Sequence, residues 1–368
     1  MRRLRLNLRG PGRRAGTAAL LLAALAGLAG LAGCASVGYL AHSVHGHVSL
    51  LRQARPVPEW LGDASTPEPL RQRLALSQRM RDYAVSELKL PDNASYRRYA
   101  ELGRPAAVWN VVAAPELELK LRTWCFPVVG CVGYRGYYDR ARAEAEAESL
   151  RAQGYEALVY GVPAYSTLGR LDWLGGDPLL NTFINYPEGE LARMIFHELS
   201  HQVAYAAGDT VFNESFATAV ERIGGERWLR EHGSPEARAE YAKFDRRRRE
   251  FQALVLDYRG RLEALYRSEL PPEGKRARKA ELFAQLREEH QRLKRERWDG
   301  FAGYDAWFAR ANNASLGLVA AYNALVPGFE RLFAAQQGDF GRFYAEVRRL
   351  AEAPREERRR ALGADEAR

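Results

Sequence analysis

The sequence predicts an α+β fold, mostly helical, with a small sheet in its first half and a helical hairpin in its second. Three observations carry this expectation. The composition is globular: 368 residues, 46% hydrophobic and 27% charged, which excludes wholesale disorder, collagen and a polytopic membrane protein. Apolar residues recur at helical spacing over residues 66–90 and again from about residue 190. Between about residues 107 and 160 the period shifts toward two, the mark of strands. The net charge of +9 does not point to nucleic acid. Six arginines (Arg2, Arg3, Arg5, Arg9, Arg13, Arg14) and no acid lie in residues 1–33, so the remainder carries only +3.

Residues 1–33 read as a targeting segment. A basic stretch runs to Arg14, and residues 15–33 are almost all Ala, Leu and Gly. The length borders on a membrane span, but the small residues suit a signal-peptide core. Leu31-Ala32-Gly33-Cys34 resembles the lipobox of bacterial lipoproteins, which implies cleavage before Cys34 and acylation of its thiol. An uncleaved anchor helix is the alternative. Either way the remainder is expected in the cell envelope, facing the periplasm and tethered to the membrane at its front. Ala35 and Ser36 lack the Asp that tends to mark inner-membrane retention, which favours the outer membrane. With Cys34 lipidated, Cys125 and Cys131 remain. In an oxidising compartment they read as a disulfide that pins a turn, with two free buried thiols as the alternative.

His42, His45 and His47 fall in a stretch read as a solvated linker or packed helix, broken by Pro56 and Pro58. Residues 66–90 read as an amphipathic helix through Leu70, Leu74, Leu76, Met80, Tyr83, Ala84 and Leu88, ended by Pro91-Asp92-Asn93. Strands are expected over 108–112, 116–121 and 157–160, and a helix over 139–152. The Gly- and aromatic-rich stretch 124–138 reads as a pinned loop and a strand edge. From 235 to 298 the chain is charged with helical periodicity, interrupted by Pro271-Pro272-Glu273-Gly274, so a helical hairpin is expected. Within it, Arg246–Arg249 reads as a solvated face. Residues 312–350 read as apolar helices, with Asn312 and Asn313 near one start.

The chemistry lies between residues 190 and 224. His197-Glu198-Leu199-Ser200-His201 is an H-E-x-x-H motif, and apolar residues at 191, 194, 195, 199, 203 and 206 give it a helical setting with Gly208 suited to the helix end. On a helix, His197 and His201 stand one turn apart on one face and can reach one ion. Glu198 is turned about 100° away, so it can hold a water beside the ion without being a ligand. Catalytic zinc takes three protein ligands and keeps a position open. Thirteen residues after His201 stands Glu214, in Phe212-Asn213-Glu214-Ser215-Phe216-Ala217. Asn213 is the expected N-cap of a second helix running to Gly224-Gly225, which would return Glu214 against the histidines. Thr218 and Glu221 share the Glu214 face, and either could hold an imidazole from behind. Tyr322 and Tyr205 are candidates for stabilising an oxyanion, against ordinary packing. The segment 164–169 could offer a substrate-pairing strand edge, against a plain loop.

The motif and the Asn-Glu-Ser-Phe-Ala box resemble the gluzincin metallopeptidases. More closely, the chain resembles the bacterial lipoprotein aminopeptidase family, through the lipobox, Trp124-Cys125-Phe126-Pro127, Tyr134-Arg135-Gly136-Tyr137-Tyr138, Ala164-Tyr165-Ser166-Thr167-Leu168-Gly169, the zinc motif and Asn312-Asn313-Ala314. The resemblance implies a zincin-like fold and a zinc (Zn2+) peptidase acting on peptides or proteins. His197, His201 and Glu214 would be ligands and Glu198 the general base. Two departures stand out. The connection from the second His to the Glu is shorter than in thermolysin-like and aminopeptidase-N-like enzymes. The Gly-x-Met-x-Asn box of the latter is absent; the methionines are Met1, Met80 and Met194. The expected organisation is a signal peptide over 1–33, a membrane-proximal helical segment over 34–105, a catalytic domain over 106–350 carrying the hairpin 235–298, and a charged, frayed tail over 351–368. The competing reading is an envelope scaffold whose hairpin binds a partner and whose zinc is structural.

Overall fold

The computed structural model describes residues 38–126, 130–164, 167–169 and 172–363. Cys34 and the targeting segment lie outside them. The chain divides into two units, Met1–Ser49 and Leu50–Arg368. The described residues of the first are helical and open α1 (38–53). No described helix is long and apolar enough to cross a membrane.

The second unit is mostly helical with three small sheets, an α+β fold. After α1 come β1 (Arg55–Pro56), α2 (Val57–Gly62), α3 (Glu68–Ser86) and β2 (Arg98–Ala100). Pro67 precedes α3 and Pro sits at its start, where the missing N–H costs nothing. β3 (Val108–Pro115) is buried along most of its length. β4 (Trp124–Phe126) and β5 (Gly130–Val132) form a hairpin in which Cys125 and Cys131 stand directly opposite and are bonded. β6 (Arg135–Tyr137), α4 (Arg140–Ala152), capped by the Asp139 side chain, and β7 (Tyr155–Val162) follow. β3 is the centre of an antiparallel sheet ordered β6-β3-β7, with Val111 facing Val159. β8 (Leu179–Leu180) runs parallel to β2, and β1 pairs with β2 on its other side.

Two helices then cross the middle of the unit: α5 (Glu188–Ser200) and α6 (Thr210–His232). Every residue from Ile195 to Ser200 is buried. α7 (Pro235–Arg267) and α8 (Pro272–Glu296) make the expected hairpin, joined through Pro271. α9 (Asp305–Ala309), α10 (Asn313–Asn323), α11 (Val326–Ala335), α12 (Phe340–Glu352) and α13 (Arg355–Ala361) complete the chain. The main core joins α2, α3, α5, α6, α11 and α12 through residues such as Val57, Met80, Phe196, Phe216, Phe329 and Val347. A second core lies between α7, α8 and α9, around Val255, Leu286, Trp298 and Phe308.

Several expectations are corrected here. The boundary at 105/106 does not separate two bodies. Residues 50–105 belong to the same compact unit as the rest, and they carry strands as well as helices. Leu74, Met80 and Leu88 need the central helices to cover them. Residues 116–121 are not a strand. Their carbonyls are taken from the side: Asn313 Nδ2 donates to Pro115, Glu116 and Glu118, and Lys279 Nζ also donates to Glu116. α5 stops at Ser200, earlier than the apolar spacing suggested, and the chain turns over 201–209. The N-cap of α6 is Asp209, whose side chain accepts from Phe212 N, and not Asn213. α6 does not end at Gly224-Gly225. A Cβ at Gly224 would stand 2.7 Å from Leu88, so that glycine permits close helix packing and not a stop.

The described part of the tail, residues 351–363, carries α13 and is not frayed. Arg358 Nε meets Asp209 Oδ2 at 3.2 Å and Arg359 Nη2 meets Oδ1 at 3.0 Å, so α13 fastens onto the first turn of α6. The Arg246–Arg249 run is not simply solvated. Arg248 pairs with Glu190, and Arg247 donates to Trp298 O.

Candidate metal centre

α5 presents the two imidazoles. His201 closes the helix in a right-handed conformation, φ −60° and ψ −18°, so the one-turn relation survives the early stop. The ring centroids are 5.0 Å apart. A tight return follows, with Gly208 at φ +78°, a conformation that L side chains rarely adopt. Asn213 fixes this return. Its Nδ2 donates to Ala206 O at 2.9 Å and its Oδ1 accepts from Ala206 N at 2.8 Å. The side chain read as a cap is thus a clamp across the connection. The disulfide hairpin leans on the same place: a Cβ at Gly130 would stand 2.7 Å from Gly208 N.

With the return fixed, Glu214 falls opposite the histidines. Its Oε2 lies 3.3 Å from His197 Nε2 and 3.6 Å from His201 Nε2. The potential ligand atoms of the three residues lie within 4.8 Å of one another, and all three residues are buried. Glu214 Oε2 is buried and accepts no hydrogen bond. A buried carboxylate oxygen left without a donor is costly unless a cation takes it. Two imidazole nitrogens and one carboxylate are a donor set that suits zinc. The triad therefore fits a metal ion.

Glu221, one of the two residues on the Glu214 face of α6 that could hold an imidazole, takes His197. Its Oε2 accepts from Nδ1 at 2.8 Å, which leaves Nε2 directed at Glu214. Thr218 is buried in the wall of the adjoining cleft. Arg193, one turn before His197 and 5% exposed, donates to the other Glu221 oxygen. Sequence reasoning missed Arg193, although its position four residues before His197 puts it on the same helix face.

Burial and charge set the protonation tendencies. Burial pushes the Glu198 carboxyl up to about 7, against the pull of His197 and with the push of Glu214. Burial lowers His201 to about 4. Burial would raise Glu221, but Arg193 and His197 hold it down to about 2. Glu214 likewise sits below the usual carboxylate range despite its burial, because His201 and His197 face it.

Tyr322 comes from α10. Its hydroxyl helps to hold Glu214 below the usual carboxylate range, and its ring lies parallel to His197 at 6.3 Å between centroids. Ser215, the neighbour of Glu214, anchors this part of the fold: its Oγ accepts from Leu325 N at 3.2 Å. Burial, then Glu214, raises the Tyr322 hydroxyl well above its ordinary value. Tyr134 is raised in the same way, with Tyr205, Tyr160 and Glu198 adding to the push, so these tyrosines share one neighbourhood. Tyr134 and Tyr160 were not singled out as candidates; they arrive from β6 and β7 flanks that sequence alone did not fold onto Glu214.

A cleft of about 300 Å3 opens beside Glu198. Val162, Pro163, Ala164, Met194, Tyr322 and Arg248 are among the residues that line it. The described residues of 164–169 form no strand. The outer strand that reaches the cleft is β7, which pairs with β3 on one side.

A family model described as "Putative aminopeptidase" matches residues 38–362. No curated protein and no solved structure matches the chain.

Proposed function

The chain belongs to the putative aminopeptidase family, and from that membership we propose that it hydrolyses peptide bonds with a zinc ion held by His197, His201 and Glu214. One observation carries the reading: Glu214 Oε2, buried and without a hydrogen bond, lies between the two imidazoles while Glu221 orients one of them from behind. When bound, zinc supplies Lewis acidity toward the scissile carbonyl and acidifies a water.

The chain's own residues do the rest. Glu198 lines the cleft next to His197, where its carboxylate can take a proton from the attacking water and pass it to the leaving amine. Tyr322 keeps its proton, so its hydroxyl can donate to the oxygen that becomes negative as the water adds. An extended peptide would pass the end of β7, with Val162–Ala164 as the nearest backbone. Removal of residues from the amino end is the activity that the family name suggests. A lipid on Cys34 would hold the enzyme at the envelope membrane, the outer one by preference.

The test is metal analysis of purified protein, then digestion of a peptide library by wild type and Glu198→Gln. Zinc at one per chain in both, with hydrolysis only in wild type, is the expected result. No hydrolysis of any peptide by the zinc-loaded wild type would leave a scaffold with a structural metal.

A further inference from the structure

The guanidinium of Arg193 joins three helices. Nη2 donates to Glu221 Oε1 on α6. Nη1 meets the Tyr241 hydroxyl at 3.3 Å and Asp245 Oδ1 at 3.5 Å, both on α7. Asp245 is held in turn by Arg249, with Nη2 2.5 Å from Oδ2. Since Glu221 Oε2 accepts from His197 Nδ1, polar contacts run unbroken from the hairpin to the imidazole.

Two glycines are fitted to this path. A Cβ at Gly225 would stand 2.7 Å from Cγ of Arg193, and one at Gly189 would stand 2.6 Å from the Tyr241 ring. Both lie within helices, where alanine is the better helix former. The support is also one-sided. His201 Nδ1 has no hydrogen-bond partner among the described residues, so the imidazole pair is held from behind through His197 alone.

We propose that Arg193 is a positioning residue of the metal centre: held by Tyr241 and Asp245 of the hairpin, it fixes the Glu221 carboxylate and thereby sets how tightly His197 grips the ion. This rests on the zinc reading above. A carboxylate behind a ligating imidazole fixes the ring and strengthens it as a ligand. A buried carboxylate left without its counter-charge is costly and swings toward other donors. Arg193 supplies both the charge and a second anchor, so the hairpin contributes to the centre without touching the metal.

The experiment is zinc affinity by chelator competition on the full chain, with circular dichroism of each metal-free protein as the check on folding. Arg193→Met should weaken zinc binding about tenfold, and Arg193→Lys, which keeps the charge but on a single donor nitrogen, should recover part of that loss. Gly225→Ala and Asp245→Asn test the same path if Arg193→Met does not fold; each should weaken binding about threefold. Asp245→Asn should add little in an Arg193→Lys background, because both changes act through one path. Wild-type affinity in folded Gly225→Ala and Asp245→Asn, or full additivity, overturns the proposal. If Glu214→Ala binds zinc as tightly as wild type, the ligand assignment itself is overturned, a different failure.

Discussion

Glu221 Oε2 accepts the Nδ1 proton of His197 at 2.8 Å, from the same face of α6 that carries Glu214. One helix thus gives the centre a candidate ligand and the support of another. Glu221→Ala should lower zinc affinity about 10- to 100-fold. Chelator competition reads this directly, and Thr218→Val should leave the affinity near wild type.

Tyr322 helps to hold Glu214 down and lines the cleft. If its single O–H donates to the developing oxyanion, Tyr322→Phe should lower kcat by about 10- to 1000-fold and change KM little. Zinc content should stay at one per chain. Steady-state kinetics with metal analysis on the same preparation checks both; lost zinc would mean that the hydroxyl serves Glu214 alone.

Asn213→Ala should destabilise the fold by about 2 kcal/mol, since it strands the buried N–H of Ala206, whose carbonyl keeps only its bond from Asp209 N. Denaturant unfolding of the metal-free protein measures this. Asn213→Asp, which can accept from Ala206 N but cannot donate to its carbonyl, should lose about half or more of the same stability.

His290 predicts a pH response far from the centre. It is buried in the hairpin core, stacked on Phe308 at 4.0 Å between centroids, with Asp305 3.4 Å from Nε2 and Lys294 on the other Asp305 oxygen. Burial lowers its pKa, Asp305 opposes that and Lys294 adds to it. The unfolded ring titrates near 6.5. Below that pH the unfolded chain takes up a proton that the folded chain resists, so this contribution is complete above about 6.5 and is lost as pH falls. Thermal melts between about pH 7.5 and 5 should show a steeper fall in Tm for wild type than for His290→Gln; parallel falls would remove His290 as the cause.

Much of this was legible in the residues. Periodicity marked α3, α4, β3, β7, the hairpin and the central helix, because each buries one face or both at a regular spacing. The H-E-x-x-H spacing and the downstream Glu214 named the side chains that the fold brings together. What failed was local polar chemistry decided at a distance. Asn213 reads as a cap until the return over 201–209 offers it Ala206. Glu116–Leu121 alternates like a strand, but Asn313 and Lys279, far along the chain, take its carbonyls. Arg248 reads as surface until Glu190 is placed beside it. Tyr134 and Tyr160 could not be assigned because their approach to the site depends on how the sheet docks against α10.

The grip of Arg358 and Arg359 on Asp209 has a consequence for biogenesis. The clasp on the first turn of the helix bearing Glu214 comes from residues about 150 positions later in the chain. That contact can close only after residue 359 has been made. A premature stop codon that spares every ligand but removes those two arginines would still yield a chain with a loosened centre.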